Sequence, residues 1–195
     1  MLAPPPVETW LKLSTKPRLS INPTVSPPPV ALQAVAAPTL QGVGAPVRPV
    51  PVFERPVIVL SAPRSGSTLL FETMARAPNL FTIGGESHRA IESLPGLHPS
   101  AHGWASHQLS ASDASPGVIA AVRHSFAQSL RDRDGVAPRP GQPVRLLEKT
   151  PKNTLRVPFL REVFPGAQFV FLYREPREVL ASMIEAWGSG RFRTY

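Results

Sequence analysis

Residues 57–70 hold the side chains best suited to bind an anion, reading Val-Ile-Val-Leu-Ser-Ala-Pro-Arg-Ser-Gly-Ser-Thr-Leu-Leu. Arg64 supplies a positive charge, and hydroxyl groups follow it at Ser65, Ser67 and Thr68. A strand, a turn of small residues and then a helix would aim several backbone N–H groups at one point, where the helix dipole is positive. The segment therefore predicts a phosphate or sulfate site. The alternative is a plain strand-turn-helix corner with its arginine in solvent.

This loop differs from the phosphate loop of a nucleotide kinase, which carries Gly-Lys-Ser/Thr. Here an arginine stands early in the loop and no lysine follows it. After residue 51 the chain has only Lys149 and Lys152, and both lie in the segment 148–153, Glu-Lys-Thr-Pro-Lys-Asn. Because an ammonium group is a compact point charge, its use in one loop of an arginine-rich region indicates a specific task. Chance combined with codon bias is the alternative.

The elements that must position these residues alternate between strands and helices. Apolar runs predict strands at residues 57–60, 80–83, 144–147 and 168–173. Helical spacing and capping residues predict helices at 67–76, 115–131, 154–164 with a break at Pro158, and from Pro176 onward. This alternation predicts an α/β fold, P-loop-like and three-layered, with a central parallel sheet and helices on both faces.

Three segments carry further expectations. Residues 168–173 are almost wholly apolar, which predicts a strand buried on both faces. The helix from Pro176 shows a single apolar stripe. Its members are Val179, Leu180, Met183, Ile184 and Trp187. Residues 93–113 are rich in Gly, Pro, Ser and His, which predicts a mobile loop.

Polar side chains follow each of the four main predicted strands, namely Arg64, Glu86, the segment 148–153 and Arg174. Ligands of open parallel sheets bind at the carboxyl ends of the strands, so these side chains are expected to meet. Glu86 could act as a base there, or it could be an exposed loop carboxylate or an ion-pair partner of Arg89. The nearby His88 could touch a substrate or be an ordinary loop histidine.

Two segments together resemble the signatures of the sulfotransferases that use 3′-phosphoadenosine 5′-phosphosulfate (PAPS), most closely the bacterial and tyrosylprotein-type members. Residues 62–70, Ala-Pro-Arg-Ser-Gly-Ser-Thr-Leu-Leu, resemble the family's phosphosulfate-binding loop. Residues 171–183 resemble its second signature, in which a strand-end arginine and a serine eight residues later hold the 3′-phosphate. Arg174 and Ser182 have this separation. The likeness covers about residues 57–187.

The resemblance implies that the chain transfers a sulfuryl group from PAPS to a hydroxyl acceptor of unknown class, without a metal. Glu86 matches the glutamate base of tyrosylprotein-type enzymes, allowing a one-residue insertion, and Lys149 matches the lysine of their Asn-Lys-Asp-Pro segment, so both are expected to be catalytic. Arg64 is the third residue with a catalytic role. The residues implied in donor binding are Arg64, Ser65, Gly66, Ser67, Thr68, Arg174 and Ser182.

Two other functions remain open. A P-loop nucleotide kinase would share the topology, but this chain lacks the lysine of the kinase phosphate loop. A non-catalytic nucleotide-binding or interaction module is also compatible, because family members generally continue well beyond the second signature, whereas this chain stops at Tyr195. We therefore expect either a fragment or a natural truncation at the C-terminus.

Composition bounds the remaining possibilities. The 195-residue chain has a net charge of +8, 7% aromatic residues and no cysteine. The charge favours anionic ligands, but too few aromatics are present for a base-stacking surface, so no nucleic-acid partner is expected. Disulfides and thiolate chemistry are excluded. Pro99 and Gly103 interrupt a possible histidine metal site. Its candidate ligands are His98, His102 and His107.

The chain divides by composition near residue 51. Residues 1–51 contain two triple-proline runs and further single prolines, which predicts a disordered linker. Residues 52–195 are expected to form the N-terminal portion of a sulfotransferase domain. No apolar run approaches the about 20 residues of a membrane span, and the N-terminus lacks the pattern of a secretion signal. A cytoplasmic protein is therefore expected, with no prediction of its oligomeric state.

Overall fold

A computed structural model describes residues 50–190, so nearly all of the predicted linker lies outside the described residues. Five strands form the sheet: β1 (Val52–Phe53), β2 (Val57–Ser61), β3 (Leu80–Phe81), β4 (Pro143–Lys149) and β5 (Gln168–Leu172). The α-helices are α1 (Ser67–Met74), α2 (His88–Glu92), α3 (Pro116–Ser129), α4 (Val157–Val163) and α5 (Pro176–Gly188). Short 3₁₀ helices span Pro99–His102, Ala111–Asp113 and Pro151–Leu155.

All strand pairs in this sheet are parallel. β4 pairs with β1, β2 and β3, and β2 also pairs with β5, with Val57 opposite both Leu147 and Gln168. The predicted α/β fold with a parallel sheet is therefore confirmed. Because every strand runs the same way, the residues that follow β2, β3, β4 and β5 emerge at one edge of the sheet.

Helices cover both faces of the sheet. Successive side chains of a strand point to opposite faces. Ile58 of β2 accordingly joins the main core, to which Phe126 of α3 and Leu160 of α4 belong. Val59 joins a smaller core on the other face, against Phe71 of α1. The second core fixes α1, and hence the loop before it, against β2 and β4.

The helix ends follow the capping chemistry that the sequence indicated. α3 begins after Ser115, whose hydroxyl accepts from the backbone N–H of Val118 at 3.4 Å. α5 begins after Glu175, whose carboxylate accepts from the N–H groups of Arg177 and Glu178. In both helices proline occupies the first turn, where its missing N–H is not needed.

The predicted burial of β5 is wrong. β5 pairs with β2 alone among the described residues, so it lies at an edge, and Phe171 is 67% exposed. Of the predicted apolar stripe on α5, Val179 is buried while Leu180 and Ile184 remain exposed. The sequence pattern indicates an apolar surface, but burial requires a neighbouring element, and residues 50–190 supply none there.

The segment predicted to be a mobile loop, residues 93–113, contains more regular structure than expected. Two of its stretches form the 3₁₀ helices Pro99–His102 and Ala111–Asp113. Leu97 and Leu109 are buried in the main core and anchor the segment on either side of its polar tip. The burial of these two leucine side chains therefore orders a segment whose composition is otherwise typical of a mobile loop. Among the helices of the described part, none has the length and apolar character needed to span a bilayer.

Candidate functional site

The loop between β2 and α1 has the backbone shape of an anion site. Gly66 adopts φ 89°, a left-handed conformation that glycine accepts without strain, and it caps α1 without any side-chain hydrogen bond. Arg64 also has a positive φ, 65°, which costs a non-glycine residue about 1–3 kcal/mol. Strain of this kind is typical of ligand-binding loops. The Ser65 hydroxyl donates to the Ala62 carbonyl at 2.7 Å, so it holds the loop rather than facing outward.

Arg64, Ser182 and Arg174 form one contact group across the loop and α5. The Arg64 Nε atom donates to the Ser182 hydroxyl at 3.3 Å. Arg174, just after β5, donates from Nη1 to the Arg64 carbonyl at 3.2 Å and from Nε to Glu178 at 3.0 Å. Two guanidinium groups and a hydroxyl are thus gathered beside the loop, although Arg174 and Ser182 lie 110 and 118 residues from Arg64 in sequence.

Lys149 connects this loop with Glu86. Its side chain is only 7% exposed, and Nζ donates to Glu86 Oε1 at 2.8 Å and to the Thr68 hydroxyl at 3.5 Å. Nζ also lies 6.0 Å from the centre of the Phe71 ring. The ammonium group that a kinase loop would carry itself is therefore supplied here from the end of β4.

The Glu86 carboxylate has two cationic or polar neighbours. Its Oε2 atom lies 2.7 Å from His88 Nε2, while Lys149 occupies Oε1. The hydrogen bond with His88, followed by the interactions with Lys149, outweighs burial and lowers the pKa of Glu86 to about 2. Glu86 is therefore ionised at neutral pH. Its ion pair is with Lys149 and its other hydrogen-bond partner is His88, so the alternative pairing with Arg89 is wrong.

A buried polar network ties the Glu86 loop to the end of β4, and sequence reasoning missed it. The Ser87 hydroxyl donates to Glu148 Oε1 at 2.8 Å, and the Thr150 hydroxyl donates to the same oxygen at 2.5 Å. Asn153 donates to the Ser87 hydroxyl at 3.1 Å. Glu86 is adjacent in sequence to Ser87, and Lys149 lies between Glu148 and Thr150. The network therefore fixes the distance between the backbones that carry Glu86 and Lys149. The run of polar residues directly after an apolar strand was its only signal.

A second cluster of charged side chains centres on the half-buried Glu92 of α2. Arg156, whose side chain is 0% exposed, donates to Glu92 Oε1 at 2.5 Å and to the His107 carbonyl at 3.0 Å. Lys152 Nζ lies 3.4 Å from the same carboxylate oxygen. Burial raises the pKa of Glu92, but the hydrogen bond and charge of Arg156 outweigh it and leave the pKa lowered. Neither Glu92 nor Arg156 was predicted as a site residue.

A cavity of about 660 Å³ opens beside Glu86. Its lining residues are Glu86, His88, Arg89, Glu92, Ser93, His98 and Lys152. A smaller cavity of about 230 Å³ is lined by Ala62, Arg174 and apolar residues of β5 and α5. The site thus offers two spaces, one lined by polar and charged residues and one lined mainly by apolar residues.

The buried carboxyl group of Glu148 makes stability depend on pH. Burial raises the pKa of Glu148 above its ordinary value of 4.5. When the pKa of a carboxyl group is higher in the folded state than in the unfolded state, its contribution to stability is fully present at pH values below the unfolded-state pKa. That contribution is lost as the pH rises through the folded-state pKa. A glutamine side chain in the same place carries no charge at any pH. We therefore expect Glu148→Gln to gain stability relative to the parent as pH rises, by at most about 1.4 kcal/mol per pH unit.

Thermal unfolding of both proteins from about pH 4 to about pH 8 measures this difference. Glu162→Gln, at an exposed position of α4, controls for the loss of one carboxylate. A difference between Glu148→Gln and the parent that stayed constant over this range would show that Glu148 does not carry the pH dependence.

The residues predicted from the sequence therefore meet at one edge of the sheet in two linked groups. The first group is Arg64, Arg174 and Ser182, and the second is Thr68, Lys149 and Glu86. Ser65 and Ser67 are buried within the loop and the first turn of α1. Within residues 50–190 no group of three or more acidic, histidine or cysteine side chains has the geometry of a metal site.

Comparisons with known proteins agree with these motifs. Residues 56–195 match the family model described as "Sulfotransferase family". A Caenorhabditis briggsae protein named "Putative protein-tyrosine sulfotransferase" is 28% identical over 134 residues. The match covers 68% of this chain and 44% of that protein, so the chain spans less than half the length of this curated relative. No solved structure matches the chain.

Proposed function

The chain belongs to the sulfotransferase family, and we propose that its site transfers a sulfuryl group from PAPS to a hydroxyl acceptor. The arrangement of Thr68, Lys149 and Glu86 is the observation that supports this most. It sets a cation and an ionised carboxylate in contact at the mouth of an anion-binding loop. This is the pairing that sulfuryl transfer to a hydroxyl needs.

The donor would be held by the two groups beside the loop. The phosphosulfate would bind at the N-terminus of α1, where the first-turn N–H groups and the helix dipole favour an anion. The Arg64 guanidinium and the Thr68 hydroxyl add a positive charge and a hydrogen-bond donor there. Arg174 and Ser182 suit a second phosphate, which they can bind together because both contact Arg64. The neighbouring 230 Å³ cavity is mostly apolar, as suits a nucleoside base.

The reaction then divides among these side chains. The acceptor oxygen forms a bond to sulfur while the bond from sulfur to the bridging phosphate oxygen breaks, and the bridging oxygen keeps the electron pair. Glu86 takes the hydroxyl proton as general base. Lys149 and Arg64 stabilise the negative charge that grows on the bridging oxygen, an electrostatic contribution that is usually the largest one.

The acceptor enters through the 660 Å³ cavity, which places its hydroxyl beside Glu86. The name of the Caenorhabditis briggsae relative makes a tyrosine hydroxyl the first acceptor to test. Sugar, lipid and secondary-metabolite hydroxyls are alternatives with the same chemistry. Cytoplasmic location stays a prediction from the sequence.

Donor specificity tests the proposal directly. We expect the chain to bind adenosine 3′,5′-bisphosphate more tightly than ATP, because Arg174 and Ser182 give the 3′-phosphate its own partners. Each charge-assisted hydrogen bond to a phosphate contributes about 1.5–3 kcal/mol, so a preference of at least about tenfold is expected. Isothermal titration calorimetry with both ligands measures it.

Arg174→Ala provides the matched variant, since it should weaken the bisphosphate selectively and leave ATP binding nearly unchanged. Equal or tighter binding of ATP by the parent would support the kinase alternative instead. If neither nucleotide bound, the non-catalytic interaction module would be favoured.

A further inference from the structure

We propose that His88 is a positioning residue for Glu86, holding its carboxylate at the reacting hydroxyl when Lys149 turns toward the donor. The inference rests on the proposed function, because it assigns both Glu86 and Lys149 their roles in sulfuryl transfer. Nothing in the sequence motifs singles out His88 for this task.

The contact between His88 and Glu86 has a defined direction. An ionised carboxylate only accepts hydrogen bonds, and Glu86 is ionised at neutral pH. His88 Nε2 therefore carries a proton and donates it to Oε2 at 2.7 Å. The two carboxylate oxygens are thus divided between two donors, His88 on one and Lys149 on the other.

The two hydrogen-bond donors, His88 and Lys149, have different roles during the reaction. Lys149 contacts Glu86 at 2.8 Å in the structure, but its proposed role is on the bridging oxygen of the donor. Once it turns there, Oε1 loses its partner and becomes free to accept the acceptor hydroxyl. The Glu86 side chain is 36% exposed, so among residues 50–190 the remaining hydrogen bond that restrains it from following the ammonium group or turning into solvent is the one from His88.

The other nitrogen of the imidazole lies near a fixed carboxylate. His88 Nδ1 is 4.0 Å from Glu92 Oε1, which is beyond hydrogen-bond distance, and Glu92 is itself held by the fully buried Arg156. The contact through which His88 acts on Glu86 is therefore the 2.7 Å hydrogen bond of Nε2. The charged and titratable groups near Glu86 and His88 are Glu92 of α2, His107, Lys149 of β4, Lys152 and Arg156.

Two variants separate positioning from a purely structural role. His88→Ala removes the donor, and we expect kcat to fall by up to about 10²-fold, the usual effect of misplacing a catalytic group by an ångström. His88→Gln retains an N–H donor at a similar reach and should restore kcat to within a few-fold of the parent. The affinity for adenosine 3′,5′-bisphosphate should stay the same in both. PAPS with a tyrosine-containing peptide provides the assay.

The pH dependence gives a second readout. The His88 hydrogen bond is the largest cause that lowers the pKa of Glu86 to about 2, so the alanine variant should raise this pKa toward the ordinary 4.5. Carboxyl carbon NMR of Glu86 measures the titration without requiring activity. His88→Ala should then lose additional activity as pH falls through about 5, where the parent keeps its carboxylate ionised.

The outcomes distinguish this inference from the proposed function. An unchanged Glu86 titration in His88→Ala, or a kcat equal to that of the parent, overturns the role of His88. A His88→Gln variant as impaired as His88→Ala also overturns it, because donation alone would then be insufficient. A third outcome is that the parent transfers no sulfuryl group to the peptide, while the Glu86 titration shifts in His88→Ala and returns to the parent value in His88→Gln. In that case the interaction of His88 with Glu86 stands and the proposed reaction fails. His124→Ala, an exposed histidine of α3, is the control.

Discussion

Glu86→Gln is expected to lower turnover by about 10²–10⁴-fold, the range observed when a general base is lost. Glutamine keeps the shape of the side chain and one oxygen that can accept from Lys149 or His88. It cannot take a proton from the acceptor. Donor affinity should remain nearly constant, since the hydrogen bonds of the Glu86 carboxylate are with Lys149 and His88 rather than with the loop. The measurements are kcat with PAPS and a tyrosine-containing peptide, and calorimetry with adenosine 3′,5′-bisphosphate.

Glu162→Gln, on the exposed face of α4, is the matched control and should retain full turnover. The pH profile adds a further check. Because the pKa of Glu86 is about 2, its own titration should not reduce the turnover of the parent above about pH 4. A Glu86→Gln variant within a few-fold of the parent would require another base, with His88 as the first candidate.

Most of the fold could be predicted from sequence because its signals are local. β2 and β4 are short apolar runs that end in polar segments, and α3 and α5 begin with a capping residue followed by proline. Parallel pairing then follows from the alternation of strands and helices. The common direction of the strands is what brings Arg64, Glu86, Lys149 and Arg174 to one edge.

The partners of the site residues could not be predicted in this way. Lys149 and Glu86 are 63 residues apart, and their contact depends on the buried network of Ser87, Glu148 and Thr150. No sequence spacing reports such a network, because side chains from two separate loops contribute to it. Glu92 and Arg156 illustrate the same limit, since an ordinary helical glutamate becomes the partner of a fully buried arginine only through tertiary packing.

The exposure of β5 and α5 has a related cause. Apolar composition predicts which face of an element avoids water, but it does not supply the neighbour that buries it. Phe171 and Leu180 have the residue types of an interior and are 67% and 56% exposed. Burial was therefore less predictable for these two elements than their type and their first residue, which were predicted correctly.

Lys149→Ala is expected to reduce both turnover and donor affinity. Removing one preorganised group that stabilises developing charge typically costs about 10²–10³-fold in kcat. Unlike Glu86, Lys149 also faces the loop in the ground state, where Nζ lies 3.5 Å from the Thr68 hydroxyl. Its charge therefore attracts the donor before any bond breaks, and the bisphosphate should bind more weakly as well.

Lys149→Arg separates the charge from the shape of the group. The lysine side chain is only 7% exposed and lies between Thr68, Phe71 and Glu86, which leaves little room for a planar guanidinium. We expect arginine to preserve most of the donor affinity, measured by calorimetry, while kcat stays more than about tenfold below the parent. If arginine restored kcat as well, positive charge alone would suffice, and the confinement of lysine to the segment 148–153 in the part of the chain after residue 51 would lose its catalytic explanation. If neither variant changed donor binding, the ammonium group would act only in the transition state, and its contact with Thr68 would contribute nothing to the ground state.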